Sequence, residues 1–144
     1  MSAAKKITCL DCGQVNRVPA ERLGAGPKCG TCGAALIPAK PVEVDPKTLA
    51  KAARTDDLPL VVDFWAPWCG PCRMMAPEYD KAAQALTGRA RLVKLNTQDF
   101  PEAGAKHGIR GIPTMVGWAG GRERARQSGA LRAGDIESWA ARLG

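Results

Sequence analysis

Aromatic side chains are scarce: the chain holds four Trp, two Phe and one Tyr. Recognition by stacked bases needs exposed rings interleaved with basic residues, and no stretch offers that pattern. Nucleic acid is therefore not expected as a partner, although the formal net charge is +7. That excess reads as a merely basic, soluble surface, the alternative being a surface suited to acidic partners or nucleic acid. Long apolar runs are also missing. None approaches the ~20 residues that span a bilayer, so no membrane partner is expected. The start, Met1-Ser2-Ala3-Ala4-Lys5-Lys6-Ile7-Thr8-Cys9, has basic residues with no apolar core after them and does not read as a secretory signal. The expectation is a cytoplasmic protein, in a compartment that keeps thiols reduced. His107, the only histidine, could ligate a metal in principle but reads as a surface residue at a helix end.

Cysteine, by contrast, is present in a pattern. Cys9-Leu10-Asp11-Cys12 and Cys29-Gly30-Thr31-Cys32 are two Cys-x-x-Cys knuckles separated by residues 13–28. That spacing fits a four-cysteine zinc ribbon with Cys9, Cys12, Cys29 and Cys32 as ligands. Gly13 and Gly33 each follow a second cysteine, where a knuckle turns tightly and glycine tolerates positive φ. Four soft thiolates suit zinc, which needs no redox change. An iron–sulfur or rubredoxin-like iron site is the metal alternative. Two disulfides are the other, opposed by a reducing compartment and by a segment too short to build a core without a staple. Four thiolates on one zinc ion would lower the formal charge excess. Gln14–Pro19 alternates as a short strand does, Glu21–Pro27 reads as a loop, and Ala34–Pro41 reads as the end of the ribbon and a linker. The boundary falls near Lys40, giving residues 1–40 as ribbon and linker and 41–144 as a second domain. A chain of 144 residues has room for both.

The third pair is Trp68-Cys69-Gly70-Pro71-Cys72. It follows the apolar run Leu60-Val61-Val62-Asp63-Phe64-Trp65, a strand covered on both faces. It opens a helix over about Cys69 to Leu86, in which Cys72, Met75, Ala76, Tyr79, Ala83 and Leu86 recur at helical spacing. Cys69 then sits at the helix N-terminus, where free N–H groups and the dipole favour a thiolate. Cys72 lies one turn in, close enough to bond Cys69 and better shielded. Val42–Val44 is a short strand, and Asp45-Pro46 opens a helix as N-cap and first-turn proline. Arg91–Asn96 is a strand, Phe100-Pro101 begins a short helix, Thr114–Trp118 and Glu123–Gln127 form a hairpin, and Ile136, Trp139, Ala140 and Leu143 share a face of a last helix. The result is an α/β chain with a mixed sheet flanked by helices.

Trp-Cys-Gly-Pro-Cys after Val-Asp-Phe-Trp-Ala resembles the thioredoxin family. Pro77 in the helix, Lys94-Leu95-Asn96, Gly108-Ile109-Arg110-Gly111-Ile112-Pro113-Thr114 and Gly129-Ala130 agree in order, so the resemblance covers about residues 41–144. The four cysteines before it match the thioredoxin 2 group, bacterial members with an extra zinc-binding N-terminus. The resemblance implies the thioredoxin fold and protein-disulfide reduction. Cys69 would be the nucleophile and Cys72 the resolving thiol, closing a redox-active disulfide. Asp63 would be a buried acid behind Cys72 that accepts its proton, and Lys94 would sit near that acid. Ile112-Pro113 would be the cis-proline loop facing the dithiol. Trp68, Gly70, Pro71, Gly111, Ile112, Gly129 and Ala130 would form the docking rim for substrate. Oxidised proteins would be the substrates and an NADPH-dependent thioredoxin reductase the recycling partner. Gly117 departs from the family, which usually carries a large apolar residue at this mid-strand position under the hairpin. Two rival readings stay open: a zinc-ribbon module that docks partners under control of the dithiol, and a redox sensor whose zinc cysteines are oxidised.

Overall fold

The computed structural model describes residues 3–144. Met1 and Ser2, the first positions of the expected ribbon segment and N-terminal start, lie outside the described residues. The first element is absent from the sequence-based expectation: Ala4–Thr8 forms strand β1, paired antiparallel with the expected strand Val15–Pro19, β2. Lys5 and Lys6 disguise β1, because one side of it faces water while Ile7 is fully buried. The two knuckles close alike. The Gly13 N–H donates to the Cys9 carbonyl and the Gly33 N–H to the Cys29 carbonyl, both at 2.9 Å. Both glycines are left-handed, at φ 85° and 79°, where a Cβ would be strained.

The segment after the second knuckle, read as ribbon end and linker, is held down. Leu36 and Ile37 are buried with Ile7, Val18 and Leu23, and this cluster also takes in Leu58. The chain continues through Val42–Glu43 (β3), Pro46–Thr55 (α1), Leu60–Trp65 (β4), Gly70–Ala85 (α2), Arg91–Asn96 (β5), Pro101–Lys106 (α3), Thr114–Ala119 (β6), Arg122–Ser128 (β7) and Ala133–Ala141 (α4). The Asp45 carboxylate caps α1 by accepting the Thr48 N–H at 2.7 Å, with Pro46 in the first turn. Five strands stand in the order β3-β5-β4-β6-β7. The first three are parallel, and β6 and β7 return antiparallel. This is the thioredoxin fold: a mixed sheet flanked by helices, with a four-cysteine unit at its N-terminus.

Alternation divides the sheet's side chains between two cores. Val61 joins Met75, Tyr79, Ile136 and Trp139 under α2 and α4. Leu60, Val62 and Phe64 join Leu49, Leu95 and Val116 under α1 and α3. Central β4 is therefore buried on both faces, as its near-continuous apolar sequence requires. The hairpin's packing accounts for the departure at Gly117. A Cβ at Gly117 would stand 2.6 and 2.7 Å from the Leu143 methyls and 3.1 Å from the Trp139 ring. The C-terminal segment occupies the space a larger residue would take, so glycine is the residue that fits.

A buried polar junction joins the N-terminal unit to the sheet. The Thr8 N–H donates to Asp56 Oδ1 at 2.8 Å, Arg91 Nη2 donates to the Thr8 carbonyl at 2.9 Å, and Arg91 Nη1 meets Asp56 Oδ2 at 2.5 Å. Thr8, Asp56 and Arg91 are all buried. Alongside, the Lys6 and Asp57 backbones exchange hydrogen bonds through the Asp57 carboxylate and N–H. Removing one member of a buried charge pair strands the other. Asp56→Ala is therefore expected to cost about 3–5 kcal/mol of stability, read as a fall in the denaturant midpoint. Replacing Asp56 and Arg91 together by apolar residues should cost less than Asp56→Ala alone. A near-neutral Asp56→Ala would contradict this account of the junction.

Candidate functional site

The dithiol sits where β4 passes into α2. Cys69 is the N-cap of α2, and its Sγ accepts the Cys72 N–H at 3.2 Å. The two cysteines are joined as a disulfide, their Cα atoms 5.2 Å apart. Cys69 is 5% exposed and Cys72 2%, so the sulfur at the helix end is the nearer to solvent. Pro77 lies inside α2, where it leaves the Arg73 carbonyl without its usual helical donor. The Ile112–Pro113 peptide is cis. It carries the Ile112 carbonyl oxygen to 3.6 Å from Cys69 Sγ. Thr114 Oγ1 donates to the Gly111 carbonyl at 2.6 Å and fixes this loop.

A cleft of about 680 Å³ opens beside Cys69, lined among others by Trp68, Gly70, Pro71, Arg110, Gly111 and Ile112. Trp68 is 67% exposed, an unpartnered apolar surface at the mouth of a reactive site. The opposite wall comes from α3, through Pro101, Gly104 and Ala105. That wall is missing from the sequence-based rim because α3 carries no motif of its own. Gly129 and Ala130 do not line this cleft. The Gly129 N–H donates to the Pro113 carbonyl at 2.9 Å and ties Gly129 to the proline loop.

Asp63 is 1% exposed at the middle of β4, and its Oδ1 has no hydrogen-bond partner among the described residues. It shares the Val61 face, the face covered by α2. In register, β3, β5 and β4 place Glu43, Lys94 and Asp63 side by side. Lys94 is thus opposite the acid in register, but no ion pair forms between them. Its ammonium lies 4.3 Å above the Trp65 ring, whose Nε1 donates to Glu43 at 2.7 Å. Burial pushes Asp63 up to about 7, with Lys94 opposing the rise and Glu43 reinforcing it. Tyr79 in α2 feels the same acid, and its hydroxyl donates to the Val93 carbonyl at 2.8 Å. Sequence reasoning misses Glu43, since a two-residue strand gives no register to read.

The second centre is the four-cysteine cluster. The Sγ atoms of Cys9, Cys12, Cys29 and Cys32 lie within 4.8 Å of one another. Cys9 and Cys32 are 3.6 Å apart, and Cys12 and Cys29 are 3.7 Å apart. A tetrahedral ion with bonds of about 2.3 Å needs edges near 3.8 Å, so this donor set fits one zinc. The thiols are free rather than paired as two disulfides. Amide groups of Asn16, Thr31 and Cys12 point at the sulfurs from 3.4–3.5 Å and suit thiolates. His107 takes no part. It is half-buried against Phe64 and Trp118, with ring centroids at 5.3 and 5.8 Å, rather than free at the surface, and burial lowers its pKa.

The family model "Thioredoxin" matches residues 40–142, and "Thioredoxin 2, N-terminal", a zinc ribbon, matches residues 8–34. Among curated proteins the chain is similar to Thioredoxin C-3 of Corynebacterium nephridii, at 40% identity over 92% of this chain and 91% of that one. It is also similar to Thioredoxin 1 of Nostoc sp., at 43% identity over 62% of this chain and 83% of that one. Among solved structures, a chloroplastic thioredoxin z superposes with a TM-score of 0.67 at 32% identity, over 72% of this chain and 94% of that one. A mutant thioredoxin from Halobacterium salinarum gives 0.66 at 26% identity, over 74% and 92%.

Asp63 yields a signed prediction. Its folded pKa of about 7 lies above the unfolded value of about 3.9. The unfolded chain therefore loses this proton first as pH rises. The cost of a buried carboxylate begins above the unfolded value and is complete above the folded one. Asp63→Ala should stabilise the oxidised protein at about pH 8 by about 1–4 kcal/mol, and the gain should vanish near about pH 3. Denaturant melts of oxidised wild type and variant across pH read it. A variant less stable than wild type at the higher pH contradicts the buried-charge account.

Proposed function

The chain belongs to the thioredoxin family, whose chemistry is thiol–disulfide exchange, and we propose that it is a cytoplasmic protein-disulfide reductase of the thioredoxin 2 type with one structural zinc. The observation that carries the reading is the Cys69–Cys72 disulfide capping α2 at the mouth of an open, partly apolar cleft. In the reduced protein, Cys69 at the helix N-terminus ionises more readily than a free thiol, helped by the dipole and by the Cys72 N–H that points at its sulfur. Its thiolate attacks one sulfur of a substrate disulfide, forming a mixed disulfide and releasing the other sulfur as a thiolate that takes a proton from water. Cys72 loses its proton, with Asp63 as the final acceptor, and attacks Cys69 Sγ. The second substrate sulfur leaves as a thiolate, the Cys69–Cys72 bond closes, and two electrons have passed to the substrate.

The cleft positions this exchange. Trp68, Gly70 and Pro71 form one lip, and Gly111 and Ile112 form the other, with a main chain free to pair with an extended substrate. Pro113 has no N–H and, in this loop, presents Ile112 to Cys69. Lys94 moderates the charge on Asp63 without neutralising it. An NADPH-dependent thioredoxin reductase returns the disulfide to the dithiol, as the family is generally recycled. Cys9, Cys12, Cys29 and Cys32 would hold the zinc, which when bound would cross-link the two knuckles and supply folding energy rather than redox chemistry.

Cys72→Ser should accumulate mixed disulfides with oxidised proteins through Cys69, and Cys69→Ser should accumulate none and lack turnover. Non-reducing gels and mass spectrometry separate the cases, and equal trapping by both variants overturns the assignment of roles. Purified protein should carry one zinc per chain by elemental analysis. Chelation should release it and lower stability while leaving the sheet folded and able to turn over. Protein without zinc, or with iron in its place, would contradict the metal assignment.

A further inference from the structure

A groove of about 650 Å³ lies where the first knuckle meets α1. Its walls include Asp11 to Gly13, then Lys47, Lys51 and Arg54 from α1, and Lys106 from the end of α3. Lys51 is committed, since its ammonium donates to the Gly13 carbonyl and ties the knuckle to the helix. Lys47, Arg54 and Lys106 are exposed. Among the described residues they make no hydrogen bond or ion pair with their side chains. Asp11 is the one acid in the lining. Residues 1–54 hold nine Lys and Arg against four Asp and Glu, and three of the nine, Lys47, Lys51 and Arg54, line this groove. Unpaired like charges brought together repel one another, and an anionic occupant relieves that repulsion.

The arrangement of the cations decides the occupant. Lys47, Lys51 and Arg54 follow one another at helical spacing along one face of α1, a row about 10 Å long at 1.5 Å rise per residue. An extended polypeptide covers that length with about three residues. Cations strung in a line match carboxylates along a chain better than a single phosphate. No aromatic ring lines the groove, so a nucleobase has no platform to stack on. The short helix α3 links the groove to the dithiol, because Ala105 lines the cleft beside Cys69 and the next residue, Lys106, lines the basic groove.

We propose that this groove is a second docking site, which receives an acidic segment of a protein substrate while the substrate's disulfide lies against Cys69. The assignment rests on the disulfide-reductase reading and adds a substrate class to it: disulfide proteins with an acidic stretch near the target bond. Holding the substrate at two points raises the local concentration of its disulfide. The effect therefore falls on KM rather than on kcat.

The test compares two disulfide-bridged peptides that differ only in a flexible tail, hexaglutamate or hexaglutamine, with full-length zinc-loaded protein. Wild type should show a KM about tenfold lower for the acidic tail at equal kcat, as three exposed charge pairs acting together would give. Added salt should erase the preference. Combined Lys47→Ala, Arg54→Ala and Lys106→Ala should abolish it while leaving turnover of the neutral peptide unchanged. Combined Arg122→Ala and Arg124→Ala, an equally exposed basic pair on the β6–β7 hairpin, should preserve it. Asp11→Asn, which removes the one carboxylate of the lining, should enlarge it. Equal KM values in wild type, or a preference that survives the triple substitution, overturns the proposal while the reductase reading stands. Competition by a single-stranded oligonucleotide but not by free hexaglutamate makes the occupant a nucleic acid and overturns it as well. Failure to reduce either peptide overturns the reductase reading, and the docking proposal with it.

Discussion

A carboxyl group at the centre of a strand buried on both faces is the constraint on which the site depends. β4 is the middle strand of five, and Asp63 interrupts an otherwise apolar run packed between two helical layers. No arrangement of the sheet can move it to water without moving Val61 out of the core beneath α2, because the two share a face. The fold therefore carries a standing electrostatic cost at the strand that delivers the dithiol. A cost of that kind persists where it serves chemistry. A carboxyl group raised to about 7 by burial, on the face covered by the helix bearing Cys72, supports the proton-acceptor role proposed for it.

Lys94 marks how far this cost is relieved. Its ammonium is opposite Asp63 in register but rests on the Trp65 ring, itself anchored to Glu43. A direct ion pair would drive Asp63 down toward the ordinary carboxylate range and leave it a poor acceptor for a thiol proton. The cation–π seat keeps the cation near enough to temper the acid and too far to neutralise it. A comparable balance holds at the other end of β5. There Arg91 and Asp56 are fully paired and capped by the Thr8 backbone, one residue before the first zinc-binding cysteine of the thioredoxin 2 reading. β5 thus supplies Arg91 to a satisfied charge pair that fastens the four-cysteine unit, and Lys94 beside the unpaired acid of β4.

The legible parts of the sequence are those whose chemistry acts over a few residues. Cys69 and Cys72 at a strand-to-helix turn, the paired knuckles with Gly13 and Gly33, and Asp45-Pro46 before α1 each state a local geometry, and each forms where the pattern places it. The rest depends on contacts between distant positions. Asp56 and Arg91 are 35 residues apart with no shared periodicity. Gly117 looks like a packing defect until Leu143 fills its space. β1 is hidden by two lysines whose neighbour Ile7 is buried in a cluster that reaches as far as Leu58, and His107 packs against Phe64 and Trp118. The family resemblance identifies Asp63 and the proline loop, but not the α3 wall of the cleft, whose residues are small and carry no signature.

The central claim is that β4 holds an acid which stays un-neutralised in the folded, oxidised protein. Site-resolved carbon NMR of the Asp63 side-chain carboxyl, followed through a pH titration, tests it without relying on catalysis or stability. The account predicts a midpoint close to 7. A midpoint near the ordinary aspartate value of about 4 would mean that the carboxylate is solvated or paired in the native state, and would contradict both the buried-charge account and its use as the proton acceptor for Cys72.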